Sequence, residues 1–293
     1  MLLYPVVPVL HAGRRVWADR EHVALALAHH DEVDLVVAED LAAQRRGDAG
    51  EDPRGAQVDV VVELEAQPQQ QPALEEAGRR LEDCRLLFVP NPNSPSGNRF
   101  PDQDLLQLVP GDGVLVLDEA YGDFCDEPHA GELLRSQEAA GRLVVTRTLS
   151  KSYSLAGLRL GFGVAHPDLV AGMRKVKDSY NCDTLSLVAG VAALEDGDWM
   201  RENAARIRRT RGRLVEGLAT RGFDVVPSQA NFVWATHPDG EHRRRFEALK
   251  AQRVLVRYMV FEAEEPGREG LRITVGTDEQ VDRFFEALDG VGS

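Results

Sequence analysis

The side chain with the clearest capacity for covalent chemistry is Lys151, in the segment TLSKSYSLAGLRLGF. The chain contains 30 arginines but only four lysines. Arginine stays protonated in proteins, whereas a lysine amine can lose its proton and attack a carbonyl carbon. A lysine at this position of an arginine-rich chain therefore indicates Schiff-base chemistry. The alternative is a surface lysine in a loop.

Two further candidates belong to the segment GVLVLDEAY, whose apolar start is typical of a strand. Asp118 ends this strand, and a carboxylate buried there requires a cationic or protonated partner. A pyridinium nitrogen would serve, although a helix cap or an ion pair would also explain the acid. Tyr121 lies three residues later. It could donate its phenol to a ring oxygen, or it could be a core aromatic.

Other residues are suited to binding an anion. Ser150 and Arg159 flank the lysine, and they offer a hydroxyl donor and a bidentate guanidinium for a phosphate. A surface arginine that only packs its stem is the alternative for Arg159. Arg272 begins the segment RITVG, where its guanidinium could bind a carboxylate or phosphate of a substrate.

The composition limits the class of protein. The chain has 293 residues, enough for one large domain or for a large and a small one. Its net charge of −14 argues against nucleic acid or an anionic membrane as the main partner. No apolar run approaches the roughly 20 residues of a membrane span. The three cysteines lie far apart, without a disulfide framework or metal-ligand spacing. We therefore expect a cytoplasmic protein without a metal site.

From residue 84 onward, short apolar strands alternate with helical stretches. The strands are RLLFVP, GVLVLDEAY, RLVVTRTLS and LGFGVA, and the alternation predicts an α/β sheet with parallel pairs. Ligands of such sheets bind at the carboxyl ends of the strands. The segments NPNSPSG, DEAY and TLSKS all fall at such ends, so we predict that they share one site.

Two regions depart from this alternation. After about residue 198, a long basic amphipathic helix precedes further strands and helices, and Thr277 is the predicted N-cap of the last helix. Residues 1–93 contain no serine, threonine, isoleucine or lysine. We predict a large domain over residues 1–195, atypical over 1–83, and a small α+β domain over residues 196–293.

Seven motifs occur in an order that resembles the fold-type I aminotransferases that depend on pyridoxal 5′-phosphate (PLP). Among these, the chain is most similar to the histidinol-phosphate aminotransferase group. The motifs are NPNSPSG, DEAY, TLSKSYSLAGLRLGF, VKDSYN, SQANFV, VLVR and LRITVGT, and they cover roughly residues 84 to 290. The resemblance implies the PLP-transferase type I fold, with a mostly parallel sheet in the large domain and a small α+β C-terminal domain.

The resemblance also implies PLP as the cofactor and a role for each candidate residue. Lys151 would bind PLP covalently and then move the substrate α-proton as general base and acid. Asp118 would pair with the pyridine nitrogen, and Tyr121 would bond the 3-oxygen of the ring. The remaining residues would bind the cofactor (Asn93, Ser94, Ser150 and Arg159) or the substrate (Arg257, Arg272, Asn181 and Asn231).

The reaction implied by the resemblance is a ping-pong transamination. Glutamate would donate its amino group and leave as 2-oxoglutarate, and imidazole-acetol phosphate would accept the group to become histidinol phosphate in histidine biosynthesis. The resemblance implies a homodimer, because the pocket of this family lies at a subunit interface. Two alternatives remain open: a threonine-phosphate decarboxylase-like enzyme with the same motifs, and a catalytically inactive homologue that dimerises with a partner.

Two departures from the family pattern concern the cofactor pocket. Ser94 stands where the family often has an asparagine, with Asn93 beside it. Residues 1–83 lack a recognisable Gly-Ser turn that would bind the cofactor phosphate at a helix N-terminus. A naturally shortened chain, a misplaced start or a first segment read out of frame from a high-GC gene would each explain this lack, and we favour the third.

Overall fold

The computed structural model describes residues 24–25, 85–127, 132–136, 139, 141–260 and 269–291. The predictions for residues 1–83 therefore lie outside the described residues, except for a two-residue strand. Within the described ranges, no helix combines the length and the apolar character needed to cross a membrane.

Five strands form the first sheet, in the order β1-β5-β4-β3-β2. They are β1 (Ala24–Leu25), β2 (Leu86–Pro90), β3 (Val114–Asp118), β4 (Leu143–Thr148) and β5 (Gly161–Ala165). Strands β2, β3 and β4 run parallel, whereas β5 is antiparallel to both of its neighbours. The predicted α/β sheet with mostly parallel strands is confirmed, and the segment LGFGVA supplies the antiparallel exception.

Apolar side chains cover both faces of this sheet, as is usual for parallel strands. Leu87 and Leu115 are at most 1% exposed and pack on one face in a cluster that includes Leu105. Val144 packs with Val170 on the other face. The helices of this part of the chain are α1 (Asp102–Gln107), α2 (Glu132–Arg135), α3 (Pro167–Val176) and α4 (Thr184–Glu195).

A second, antiparallel sheet of four strands has the order β6-β7-β9-β8. Its strands are β6 (Asp224–Val225), β7 (Phe232–Thr236), β8 (Arg257–Val260) and β9 (Glu269–Thr274), and its helices are α5 (Gly197–Ala219), α6 (His242–Ala251) and α7 (Asp278–Asp289). Leu214 of α5, Leu249 of α6 and Phe284 of α7 bury against Leu271 of β9 in one core. This unit is the α+β fold predicted for the C-terminal part.

Side-chain caps define where two helices begin. Asp183 accepts a hydrogen bond from the Ser186 backbone nitrogen at 3.0 Å and so caps α4. Thr277 accepts from the Gln280 backbone nitrogen at 3.3 Å, and the Gln280 side chain accepts in return from the Thr277 nitrogen at 2.9 Å. This capping box satisfies donors that the first turn of α7 leaves unpaired, and it confirms the predicted N-cap.

A buried arginine joins the two units. Arg211 of α5 is 5% exposed, and its Nη1 donates to the carbonyl oxygens of Phe124 and Ala230, both at 3.0 Å. Its Nη2 lies 2.6 Å from Asp126 Oδ1. Burial lowers the pKa of Arg211 despite the Asp126 charge, which acts in the opposite direction. The predicted domain boundary after residue 195 coincides with the end of α4, and it stays a prediction.

Candidate active site

A pocket of about 260 Å³ opens at the carboxyl ends of β2 and β3 and beside the turn after β4. Its lining residues are Pro90, Pro92, Ser94, Asp118, Ala120, Tyr121 and Lys151. The predicted strand-end segments therefore meet at one pocket, because β2, β3 and β4 are parallel neighbours whose carboxyl ends lie at the same edge. An amine, a carboxylate and a phenol share this pocket with two prolines.

The turn after β4 presents the lysine. Ser154 nitrogen donates to the Lys151 carbonyl oxygen at 3.1 Å, and Leu155 nitrogen donates to the Leu149 oxygen at 3.0 Å. These bonds close a tight turn immediately after the strand. Lys151 is half-buried, and its Nζ lies 5.6 Å from the centre of the Tyr121 ring. The amine is thus held within the pocket and is not a freely extended surface lysine.

The expectation that the Asp118 carboxylate is buried is wrong. The exposure pattern of β3 alternates and ends with Asp118 exposed at the strand terminus, where the side chain lines the pocket. Its Oδ1 accepts a hydrogen bond from the Ala120 nitrogen at 2.9 Å. The acid therefore lies at the edge of the sheet, within reach of a molecule in the pocket.

Tyr121 connects the pocket to the second sheet. Its ring packs edge-on against Phe232, with centroids 5.0 Å apart, and its hydroxyl accepts a hydrogen bond from Arg272 Nη2 at 3.3 Å. The Arg272 guanidinium carbon also lies 3.8 Å from the centre of the Phe232 ring. Arg272 Nε is buried and has no hydrogen-bond partner among the described residues. The guanidinium therefore retains donor capacity next to the pocket tyrosine.

None of the four predicted substrate-binding residues lines the pocket, although Arg272 contacts the pocket tyrosine. Arg257 is exposed on β8 and lies directly opposite Arg272 in the antiparallel pairing of β8 with β9. Asn181 is exposed, and its side chain accepts from Lys177 Nζ at 3.1 Å. Asn231 precedes β7, and its backbone oxygen accepts from the Val275 nitrogen at 2.9 Å.

Besides Asp118, Tyr121 and Lys151, four further residues were predicted to bind the cofactor, and only Ser94 among these four lines the pocket. Asn93 is buried, and its amide nitrogen donates to Ser96 Oγ at 2.7 Å. Ser150 is buried, and its Oγ accepts from Thr148 Oγ1 at 2.9 Å. Arg159 is exposed, and its Nη1 donates a hydrogen bond to the Ala156 carbonyl oxygen of the same turn at 2.9 Å.

Sequence reasoning missed two features of the site. Pro90, Pro92 and Ala120 form an apolar part of the pocket wall, and the proline-rich end of β2 was the available signal. It also missed a buried ion pair between Arg147 and Glu119, which lies behind the strand ends. A charged residue inside the apolar strand LVVTRT was the signal for that pair. Across the described ranges, no group of histidine, cysteine and acidic residues could hold a metal ion.

Comparison with known proteins agrees with this geometry. Residues 54–288 match the family model described as "Aminotransferase class I and II". The match begins before the motif-bearing region that starts near residue 84, so part of the atypical segment also falls within the family pattern. The chain is 46% identical over 206 residues to a histidinol-phosphate aminotransferase of Rhodopirellula baltica, and 43% identical over 210 residues to one of Syntrophotalea carbinolica.

These alignments cover 70% and 71% of this chain, but only 55% and 58% of the two relatives. The chain therefore spans little more than half the length of these relatives. Among solved structures, it is similar to the histidinol-phosphate aminotransferase of Sinorhizobium meliloti in complex with PLP. That likeness has a TM-score of 0.64 and 26% identity, and it covers 75% of this chain and 60% of that one. The family match and this complex support PLP as the cofactor.

Proposed function

Because the chain belongs to the aminotransferase class I and II family, we propose that it is a PLP-dependent histidinol-phosphate:2-oxoglutarate aminotransferase of histidine biosynthesis. The observation that carries this proposal is the convergence of three side chains on one pocket. The Lys151 amine, the Asp118 carboxylate and the Tyr121 phenol all line it. The names of the relatives support the choice of substrate.

The donor set of the pocket fits PLP in part. An amine suits an aldehyde carbon, a carboxylate suits a pyridine nitrogen, and a phenol suits a ring oxygen. Pro90 and Pro92 provide apolar surface for a ring. The phosphate is less well served by the described residues, because Ser150 and Arg159 do not line the pocket. Ser150 and Arg159 remain our proposed ligands of the phosphate. Asn93 and Ser94 remain proposed ligands of the cofactor.

Each pocket side chain has a separate task. When bound, PLP supplies an aldehyde that accepts an amino group and a ring that withdraws electrons from the bonds at the substrate α-carbon. Asp118 keeps the ring nitrogen protonated by accepting its hydrogen bond at the sheet edge. Tyr121 donates its phenol to the ring 3-oxygen. The Lys151 Nζ holds the cofactor and moves the α-proton as general base and then as general acid.

Two arginines are our proposed substrate ligands. Arg257 and Arg272 are cross-strand neighbours, and like charges placed directly opposite each other destabilise a sheet. A carboxylate or phosphate between the two guanidinium groups would relieve this repulsion. Asn181 and Asn231 are proposed to complete the substrate side of the site.

We further propose a homodimer located in the cytoplasm. Support for the homodimer comes from three large apolar side chains of the segment 176–185 that are at least 79% exposed, namely Val176, Tyr180 and Leu185. Several large apolar side chains exposed within one short segment are typical of an interaction site. The two remaining candidates, a threonine-phosphate decarboxylase-like enzyme and an inactive homologue, are separated from the main proposal by product analysis.

The test incubates the purified chain and PLP with histidinol phosphate and 2-oxoglutarate, and separately with O-phosphothreonine. We expect glutamate from the first mixture and no carbon dioxide from the second. Lys151→Ala is the inactive control, and Lys175→Ala is the control for loss of an exposed lysine. Carbon dioxide release from O-phosphothreonine would support the decarboxylase, and a folded protein without either product would support the inactive homologue.

A further inference from the structure

Behind the pocket, one arginine lies between two acids. Arg147 Nη2 is 2.6 Å from Glu119 Oε2, and Arg147 Nη1 is 2.7 Å from Asp123 Oδ1. Ser152 Oγ donates a hydrogen bond to the other oxygen of Asp123. The side chains are 12% exposed for the arginine, 2% for Glu119 and 18% for Asp123. We call these four residues the Arg147 cluster.

The cluster adjoins the pocket residues along the chain. Glu119 directly follows Asp118, and Ser152 directly follows Lys151. The other acid of the cluster lies two residues after the pocket tyrosine, in a short 3-10 turn. No member of the cluster lines the pocket itself. The cluster therefore joins the turn that carries the acid and the phenol to the turn that carries the amine.

The electrostatics keep this connection charged. Burial by itself lowers the pKa of Arg147, but the charges of Glu119 and Asp123 outweigh burial and raise the pKa above its ordinary value. A buried ion pair is costly to break, because removal of one partner leaves an uncompensated charge. The packing is also close: a Cβ added at Gly122 would lie 3.2 Å from the Arg147 guanidinium carbon.

We propose that Arg147 is a positioning residue, which holds the Asp118–Tyr121 turn and the Lys151 turn in the register that cofactor binding requires. This inference rests on the proposed function, since it concerns the same pocket. The guanidinium acts through its neighbours, and it does not touch the reacting atoms. Loosening one end of the cluster should therefore loosen both turns together.

The test uses a mild substitution, because loss of Arg147 would strand the buried Glu119 charge and could prevent folding. Ser152→Ala removes one hydroxyl hydrogen bond to Asp123. Its matched control is Thr210→Val, which removes the hydroxyl bond from Thr210 Oγ1 to Asp278 Oδ1 (3.0 Å) in the C-terminal unit. Ser152→Thr keeps a hydroxyl and serves as the rescue variant.

Three measurements follow. In PLP-free protein, we expect Ser152→Ala to speed amide hydrogen exchange about tenfold in both segments 118–124 and 148–156. With PLP added, we expect Ser152→Ala to raise the dissociation constant for PLP about fivefold. We also expect a shift of about 0.5 in the pH midpoint at which the visible absorbance of bound PLP changes. Thr210→Val should change none of these quantities, and Ser152→Thr should restore them.

Unchanged exchange in either segment would overturn the inference, whatever the protein does with PLP. Faster exchange with an unchanged PLP dissociation constant and pH midpoint would also overturn it, because the cluster would then be only structural. A folded wild-type chain that does not bind PLP would instead contradict the proposed function. The hydrogen exchange would still decide whether the cluster couples the two turns.

Discussion

The inner and outer parts of the site differ in how firmly their side chains are held. On the inner part, Asp118, Tyr121 and Lys151 lie on strand ends or tight turns that the Arg147 cluster joins. On the outer part, Arg159 and Arg257 are exposed, and Arg159 donates a hydrogen bond to a carbonyl oxygen of its own turn. The groups assigned to the cofactor ring are therefore preorganised, whereas we expect the exposed Arg159 and Arg257 to adapt to a ligand.

The sharpest test of the inner part is removal of its negative charge. Asp118→Asn keeps the shape of the side chain but cannot hold a protonated pyridine nitrogen by charge. We expect kcat to fall about 10²- to 10⁴-fold in steady-state transamination assays. Asp112→Asn, at the other end of β3, is the control and should keep wild-type kcat. A kcat of Asp118→Asn within a factor of two of wild type would remove the acid from the chemistry.

The packing of the inner part can be tested through its buried cysteine. Burial raises the pKa of the Cys125 thiol to about 11, from 9.0 for an unburied thiol. Well below pH 9 the Cys125 thiol is protonated in both the folded and the unfolded chain, so its contribution to stability is fully present there. Between pH 9 and pH 11 the thiol of the unfolded chain ionises first, and the free energy of unfolding should fall by about 3 kcal/mol in total.

Urea unfolding at pH 8 and at pH 11 measures this loss. Cys125→Ala should remove most of it, while Cys182→Ala, at a half-buried cysteine, should behave like wild type. Tyr153, whose burial raises its pKa to about 12, contributes equally to all three proteins. If Cys125→Ala lost as much unfolding free energy between pH 8 and pH 11 as the wild type, Cys125 would not be buried as described.

The substrate side should depend on the arginine next to the pocket tyrosine. Arg272→Met keeps the length of the side chain and its packing on Phe232 but removes the guanidinium. We expect kcat/KM for glutamate to fall about 10- to 100-fold, because charge-assisted hydrogen bonds to a carboxylate are lost. Arg244→Met, at an exposed arginine of α6, is the control. Equal kcat/KM in both variants would exclude Arg272 as the anion ligand.

The smallest effect is expected at the exposed outer arginine. Arg159→Ala should raise the PLP dissociation constant about fivefold, because an exposed guanidinium–phosphate contact is partly screened by water. Fluorescence titration with PLP measures the change, with Arg174→Ala on α3 as the control. If Arg159→Ala raised the PLP dissociation constant more than Asp118→Asn does, the order of the inner and outer parts would be reversed.

Local patterns were sufficient to predict the strands and the placement of Asp118 and Lys151 at their ends. Apolar runs bounded by turn residues define strands, and parallel neighbours bring their carboxyl ends together. The Arg147–Glu119 pair was not predictable in this way, because it depends on the register of β3 against β4. The exposure of Asp118 was mispredicted, because the apolar run before it did not reveal the alternation at the strand end. The positions of Arg159 and Asn181 depend on loops, whose conformation long-range contacts determine.

The most direct test of the central claim is to locate the amine that binds PLP. The chain is loaded with PLP, reduced with borohydride, digested and examined by mass spectrometry. We expect the cofactor mass on the peptide that contains Lys151 in the wild type and in Lys175→Ala, and its loss in Lys151→Ala. Cofactor on another lysine, or equal labelling in Lys151→Ala, would contradict the assignment of this pocket as the PLP site.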